Sequence, residues 1–383
     1  MPRPRQDTLR IERVGPIDKV QIDFGDLTLL VGPQGTGKSI ALQLFKLTQD
    51  RLPIAKTARD NGLVWDSAQE FLDVYLGSGI GTSWRQASKL EWKGKPVVMP
   101  PQMREHPREP TVFYVPAQRA LTIADGWPRP FSGYPSAPYV VREFGLLLQR
   151  TLLRARGEKI FPPSDRLKAD LRSSIDSAIF HKGTLQLRQV SLQRELRLVH
   201  GSADLPYMAW SAGQREFVPL MLALYDLLPA KAKTMHQHIR WVILEEPEMG
   251  LHPEGILATA GLIMELLHRG YRVVISTHHP LVLDFVWLIQ ELQQQPAAKP
   301  QDLLRALGLQ ARGDAVRMAQ SAMRTECRVY NLYHGDKGVV AADISSLDPG
   351  AEDNATSGWG GLTALSERMQ QVVARVVQRS AAR

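Results

Sequence analysis

Residues 32–39 read Gly-Pro-Gln-Gly-Thr-Gly-Lys-Ser, and each residue type there has a use in gripping phosphate. Glycines let successive backbone N–H groups turn toward one point, and such groups at the start of a helix form a concave anion site. Lys38 supplies charge for the β- and γ-phosphates, and the Ser39 hydroxyl is a ligand for Mg²⁺. Gly32, Pro33, Gln34, Gly35, Thr36, Gly37, Lys38, Ser39 and Ile40 are therefore expected to line a nucleotide site. Far downstream, the apolar run Trp241–Leu244 ends in Glu245 and Glu246. Glu245 is placed to hold Mg²⁺ through water, and Glu246 to orient or deprotonate an attacking water. His278 ends the next apolar run, Arg272–Ile275, and can donate to a γ-phosphate; His279 precedes Pro280 and is expected to point away. Ser211 and the Gly213 amide, within Trp210-Ser211-Ala212-Gly213-Gln214-Arg215-Glu216, offer a second anion site at a helix start, although the same turn is equally a helix cap.

These residues need elements to carry them. Leu9–Val14 and Val20–Phe24, around Gly15-Pro16, read as an antiparallel hairpin feeding the strand Leu27–Val31 and then a helix over Ile40–Leu47. From Ala55 to Gln102 the pattern is irregular. Thr111–Val115 is a strand leading to Gln118 and Arg119, and Gly126 to Pro138 is turn-rich. Helical periodicity covers Val140–Leu153 and Ser164–Phe180, with Ser164 as cap, and Leu185–Leu198 alternates like strands. A strand into Glu245-Glu246, a helix over Ile256–Leu267 and a strand into Ser276-Thr277-His278 follow the βαβ logic of a parallel sheet with its site at the strand C-termini. Arg328–Asp343 reads as a hairpin turning at Gly335–Gly338, and Leu362–Arg379 as a closing helix.

Bulk properties narrow the class. A chain of 383 residues with 44% hydrophobic and 22% charged content has ample core for two domains or one large α/β domain. No apolar stretch is long enough to cross a bilayer and no secretory signal opens the chain, so a cytoplasmic protein is expected. A single cysteine, Cys327, rules out an intrachain disulfide and is expected in a strand. The net charge of +8 favours polyanionic contacts and keeps nucleic acid as a candidate partner.

Taken in order, the phosphate loop, Gln118, Ser211–Gln214, Glu245-Glu246 and His278 resemble the ABC-class ATPases. More narrowly, Leu9 to Leu283 looks like the soluble heads of SMC and RecF-like repair proteins and the OLD-like ATPases of bacterial phage defence. The strings Glu-Glu-Pro-Glu-x-x-Leu-His-Pro and Thr-His-x-Pro are most similar to the OLD-like branch. The resemblance implies a P-loop NTPase of α/β class, an ABC-type head with a mixed sheet, an antiparallel N-terminal β-subdomain and an inserted helical lobe. Residues 1–120 and 235–345 would form the first lobe, 121–234 the second, and 346–383 a closing helix.

It also implies ATP and Mg²⁺ as cofactors. Lys38, Gln118, Glu246 and His278 would be catalytic, and Ser39, Gln118 and Glu245 would hold the metal. Ser211, Gly213 and Gln214 would form the signature motif, and Glu248–His252 the D-loop. Glu245 replaces the commoner Asp, Gln34 the usual Asn, and Ala212 a Gly or Ser, all conservatively. The signature would close over the γ-phosphate of a second copy, giving a head-to-tail homodimer around two ATPs. Only about ninety residues part Gln118 from Ser211, too few for a long helical arm at ~1.5 Å per residue. The expectation is an ATPase subunit that controls a separate effector, a nuclease or toxin, as in Septu, PARIS and retron-associated systems. A DNA-binding repair ATPase and an ATP-dependent assembly scaffold are the alternatives.

Overall fold

A computed structural model of the chain describes residues 7–102, 109–129, 136–155, 157–163, 165–229, 236–348, 350–362, 369 and 372–373. Most of the closing helix expected over 362–379, and the Ser164 cap, lie outside the described residues. Strands β1 (Thr8–Val14) and β2 (Ile17–Asp23) form the expected hairpin, pairing Leu9 with Ile22. Strand β3 (Leu27–Val31) then runs into the phosphate loop and helix α1 (Lys38–Asp60).

The helix is far longer than its apolar stripe announced. It leaves helical geometry at Asp50 and resumes through Pro53 to Asp60, because proline lacks the N–H and crowds the carbonyl four residues back. The region that looked irregular is ordered as well. Helix α2 (Ala68–Leu76) starts at a reciprocal Ser67/Glu70 cap, and strands β4 (Trp84–Trp92) and β5 (Lys95–Pro96) extend the sheet beside β1. Strand β6 (Val112–Val115) leads to a 3₁₀ turn at Ala117–Thr122.

The intervening lobe is mixed rather than helical. The short pair β7 (Ile123–Ala124) and β8 (Trp127–Pro128) precedes helix α3 (Tyr139–Leu153). Strand β9 (Lys159–Phe161) follows, then helix α4 (Ala169–Ile175), which starts five residues after the expected cap with Lys168 at the cap position. Strands β10 (Thr184–Val190), β11 (Gln193–His200) and β12 (Ala203–Pro206) join β9 in a four-stranded antiparallel sheet. Its buried leucines, Leu185, Leu187, Leu196 and Leu198, alternate with polar outward residues, as a one-sided sheet requires. Helix α5 (Ala212–Leu224) returns the chain to the main sheet.

Strand β13 (Trp241–Glu245), helix α6 (Pro253–His268), strand β14 (Arg272–Ser276) and helix α7 (Pro280–Gln294) form the βαβ unit. Helices α8 (Pro300–Ala306) and α9 (Gly313–Ala322) precede the hairpin of β15 (Cys327–Gly335) and β16 (Gly338–Asp343). Ten strands make one mixed sheet in the order β5-β4-β1-β2-β16-β15-β3-β14-β13-β6. Strands β15, β3, β14, β13 and β6 are mutually parallel, so the turns after β3, β14, β13 and β6 share one edge. Both faces of this block are covered. Val242 and Leu244 pack with α5 and α6 residues, while Trp241 and Ile243 pack with α1 residues such as Phe45. That double burial is why these strands read as unbroken apolar runs. Among the described residues no helix is long and apolar enough to cross a membrane.

Candidate functional site

The phosphate loop sits where β3 meets α1. Gly32 has φ +129, and a Cβ there would lie 2.0 Å from the Leu332 carbonyl oxygen of β15, so the close strand contact excludes a side chain. Lys38 is 5% exposed. Its Nζ donates to the carbonyls of Gly32 at 2.7 Å and Pro33 at 2.8 Å. Burial lowers its pKa to about 8, with the Glu246 carboxylate pulling the other way. Thr36 Oγ1 donates to the Pro33 carbonyl at 2.8 Å. Ile40 packs beside the Gly15 turn of the N-terminal hairpin.

Parallel pairing brings the other edges alongside. Glu245, at the end of β13, is 1% exposed, and its Oε2 accepts the Ala117 N–H at 3.0 Å. Its Oε1 is buried with no hydrogen-bond partner among the described residues. Burial pushes the Glu245 carboxyl above the usual carboxylate range, against the Ala117 N–H and the Ser39 and Tyr114 hydroxyls, which pull it down. A buried, orphaned carboxylate oxygen beside a serine hydroxyl suits a hard divalent cation such as Mg²⁺, which takes few protein ligands and fills its shell with water and phosphate. Gln118, the other expected metal ligand, is exposed one residue past Ala117.

Glu246 follows with φ +43, a left-handed turn that a non-glycine residue adopts only when held there. Its N–H donates to the Ser276 carbonyl at 2.9 Å, and its Oε1 lies 3.1 Å from His278 Nε2. Both side chains are partly exposed, at 29% and 28%, and so are open to water. His279 turns away: its Nδ1 accepts the Leu281 N–H and caps α7.

Glu248 is a residue the sequence placed in a loop without assigning it a task. It is 7% exposed, and its Oε1 accepts the Thr277 hydroxyl at 2.6 Å and the His278 N–H at 3.0 Å. The turn after β13 is thereby stitched to the turn after β14. Arg119 was passed over as well. It is fully buried, with its guanidinium on the carbonyls of Glu245 and Glu246. Its residue type after a strand gave no signal, because the partners are backbone atoms over a hundred positions away.

Ser211 lies on a different surface. It caps α5, its Oγ accepting the Gln214 N–H at 3.2 Å while Gln214 Oε1 accepts the Ser211 N–H at 3.1 Å, a reciprocal capping box. The Gln214 amide also donates to the Ile179 carbonyl at 3.1 Å, so that side chain is committed to holding the turn. Ser211 and Ala212 are exposed. Gly213 lies so close to the loop after β13 that a Cβ would meet the Gly250 carbonyl oxygen at 2.8 Å. The α5 N-terminus thus packs on the 248–252 turn of its own chain. The site therefore gathers Lys38, Ser39, Glu245, Glu246 and His278 at one edge, while the first turn of α5, with Ser211 and Ala212 exposed, packs on an exposed Gly250 as a second surface. Among the described residues no cluster of three or more His, Cys, Asp or Glu is built to hold a metal.

Residues 102–284 match a family described as AAA domain, putative AbiEii toxin, Type IV TA system. That stretch carries Gln118, Ser211–Gln214, Glu245, Glu246 and His278, and begins after the phosphate loop. None of the curated proteins matches the chain. Among solved structures it is similar to an SMC head domain from Thermotoga maritima, at 13% identity over 89% of this chain and 99% of that one, with a TM-score of 0.37. An SMC head bound to the C-winged helix domain of ScpA gives 10% identity over 89% and 98%, with a TM-score of 0.42. A dimeric bacterial ABC transporter cassette gives 11% over 72% and 89%, with a TM-score of 0.34.

Proposed function

We propose that the chain is an ATPase that closes as a two-fold dimer around ATP and uses that closure to control a separately encoded effector. The observation that carries the reading is the assembly of Lys38, Ser39, Glu245, Glu246 and His278 at one sheet edge, while the capped α5 N-terminus stands exposed on the surface with Gly250. The loop amides and Lys38 bind the phosphates. Ser39 and Glu245 would hold Mg²⁺, which neutralises phosphate charge when bound. Glu246 accepts a proton from, or orients, the attacking water, with His278 at 3.1 Å fixing its carboxylate. Ser211 and the Gly213 amide offer N–H and hydroxyl donors for the γ-phosphate of a second copy, giving an isologous, self-limiting dimer.

The effector role is supported by two features. The stretch between Gln118 and Ser211 folds as a compact lobe without a long arm among its described residues, and the matched family's description names a toxin of a toxin–antitoxin system. That pairing supports, as part of this proposal, a place in bacterial anti-phage defence with a nuclease or toxin as effector. The charge of +8 supports a second reading, a DNA-dependent repair ATPase. Salt-sensitive stimulation of turnover by duplex DNA would select the latter. Glu246→Gln is expected to bind ATP, lose turnover by about 100-fold or more and sediment as a dimer only with ATP. A monomer at saturating ATP would sink the dimer reading.

A further inference from the structure

Arg119 is the largest fully buried side chain among the described residues, and a buried guanidinium needs a reason. Its five N–H donors form a rigid fork, and three are accounted for on three different backbone carbonyls. Nη1 donates to Glu245 at 2.9 Å, Nη2 to Glu246 at 2.9 Å, and Nε to Glu216 at 3.0 Å. The Glu216 carboxylate lies 3.5 Å from Nε and is 18% exposed; its Oε2 is buried without a hydrogen-bond partner among the described residues.

These contacts tie helix α5 to two turns whose strands, β6 and β13, already pair side by side. Arg119 adjoins Gln118 in the turn after β6. Glu245 and Glu246 end β13. Glu216 belongs to the second turn of α5, whose first turn is capped by Ser211. The Glu246 carbonyl that Arg119 holds belongs to the residue at φ +43, and it also accepts the Met249 N–H at 3.0 Å. Arg119 thus supplies one of the two hydrogen bonds on that carbonyl, and with it part of what holds the turn that sets the carboxylate beside His278.

We infer that Arg119 is a positioning residue: it locks the Glu246 turn in its working conformation and, through Glu216, makes that lock depend on the placement of the α5 N-terminus. Closure of Ser211 over a second copy's nucleotide then bears on α5, and α5 bears on the hydrolytic carboxylate of its own chain. Hydrolysis is thus tied to dimer closure by a single side chain. This rests on the proposed ATPase reading. Burial lowers the pKa of the guanidinium, and the carboxylates of Glu216, Glu248, Glu246 and Glu245 around it pull the other way.

The test uses the full chain with ATP and Mg²⁺, comparing Arg119→Lys and Glu216→Gln with wild type. Turnover is expressed per chain that binds a fluorescent ATP analogue, so an unfolded fraction drops out. Arg119→Lys keeps the charge and loses the fork; kcat is expected to fall on the order of 10-fold to 100-fold, with KM and analogue affinity held within about threefold. Glu216→Gln keeps shape and loses charge, and kcat is expected to fall about threefold to tenfold with the same split. Wild-type kcat per binding-competent chain in both variants would overturn the inference, since a merely structural arginine lowers the folded fraction and nothing else. Should Arg119→Lys fail to fold, Glu216→Gln decides alone: a lowered kcat upholds the link and an unchanged one ends it. A wild-type chain without turnover would sink the ATPase reading and this one together, whereas active wild type with unaltered variants sinks only this one.

Discussion

At the scale of single residues, the site is built from charges held in conformations they would not choose. Lys38 is enclosed, and its pKa of about 8 places its titration inside an accessible range. Protonated Lys38 attracts the phosphates and neutral Lys38 does not. Affinity for ATP is therefore expected to fall as pH rises through about 8, by up to about tenfold per pH unit while the free chain's lysine is neutral. Fluorescent-analogue titrations between pH 7 and 9.5 read this directly, and a flat profile would show that Lys38 keeps its charge throughout. Glu245 carries the opposite signature. Burial raises its pKa, so a proton competes with the cation at its orphaned oxygen, and the Mg²⁺ concentration needed for half-maximal turnover is expected to rise as pH falls through the raised pKa. Measuring that concentration at pH 5.5 and 7.5 checks the sign, and a proton-independent requirement would remove Glu245 from the metal. Lys38 was legible from the glycine-rich loop that holds it, and Glu245, Glu246 and His278 because they follow apolar strand-like runs. Arg119 and Glu248 were not, since their work is done on backbone groups and on a neighbouring turn that only the sheet brings near.

At the scale of elements, helix α1 connects the phosphate loop to the rest of the fold through a buried charge cluster. Lys46 is 1% exposed and donates to the Val112 carbonyl at 2.9 Å, with Asp50 at 3.4 Å and Glu143 of α3 at 3.1 Å. Burial works against the lysine's charge, yet Glu143 and Asp50 raise its pKa on balance. Asp50, at the break in α1, also accepts the Thr111 N–H, the Thr111 hydroxyl and the Val112 N–H. The cluster therefore fixes α1 against β6, the strand that delivers Gln118 and Arg119. Lys46→Met leaves Asp50 with three donors but no countercharge, and the expected loss is about 3 kcal/mol, the lower end for breaking a buried pair. A urea midpoint at the wild-type value would mean the lysine is dispensable. Pro53 explains why this helix reads as ending early, since the stripe breaks where the backbone does. Helix α2 went unread although Ser67 and Glu70 stand at capping-box spacing, because the residues around them are polar. Strand β4 stayed hidden because most of its residues are exposed or half-buried, so alternation had nothing to report.

At the scale of the whole molecule, the question is whether one chain holds a complete site. Ser211 caps its own helix, whose first turn packs on Gly250 through Ala212 and Gly213, and no hydrogen bond links Ser211 to Gly32–Ser39 among the described residues. If the nucleotide is enclosed by two copies, a defect in the phosphate loop and a defect in the α5 N-terminus belong to different chains of the same pocket. Lys38→Ala and Ser211→Arg are then each inactive alone, because every pocket of either homodimer lacks one half. Mixed dimers contain one pocket missing both halves and one with both intact, the loop coming from the Ser211→Arg chain and the cap from the Lys38→Ala chain. With random pairing, half the dimers are mixed and one pocket in two is whole, so an equimolar mixture of two silent proteins is expected to recover about a quarter of wild-type turnover if pockets act independently. Activity in Ser211→Arg by itself would show that the cap is not part of the pocket, and silence after mixing, with ATP-dependent mixed dimers demonstrated by crosslinking, would show that the two halves do not meet across copies.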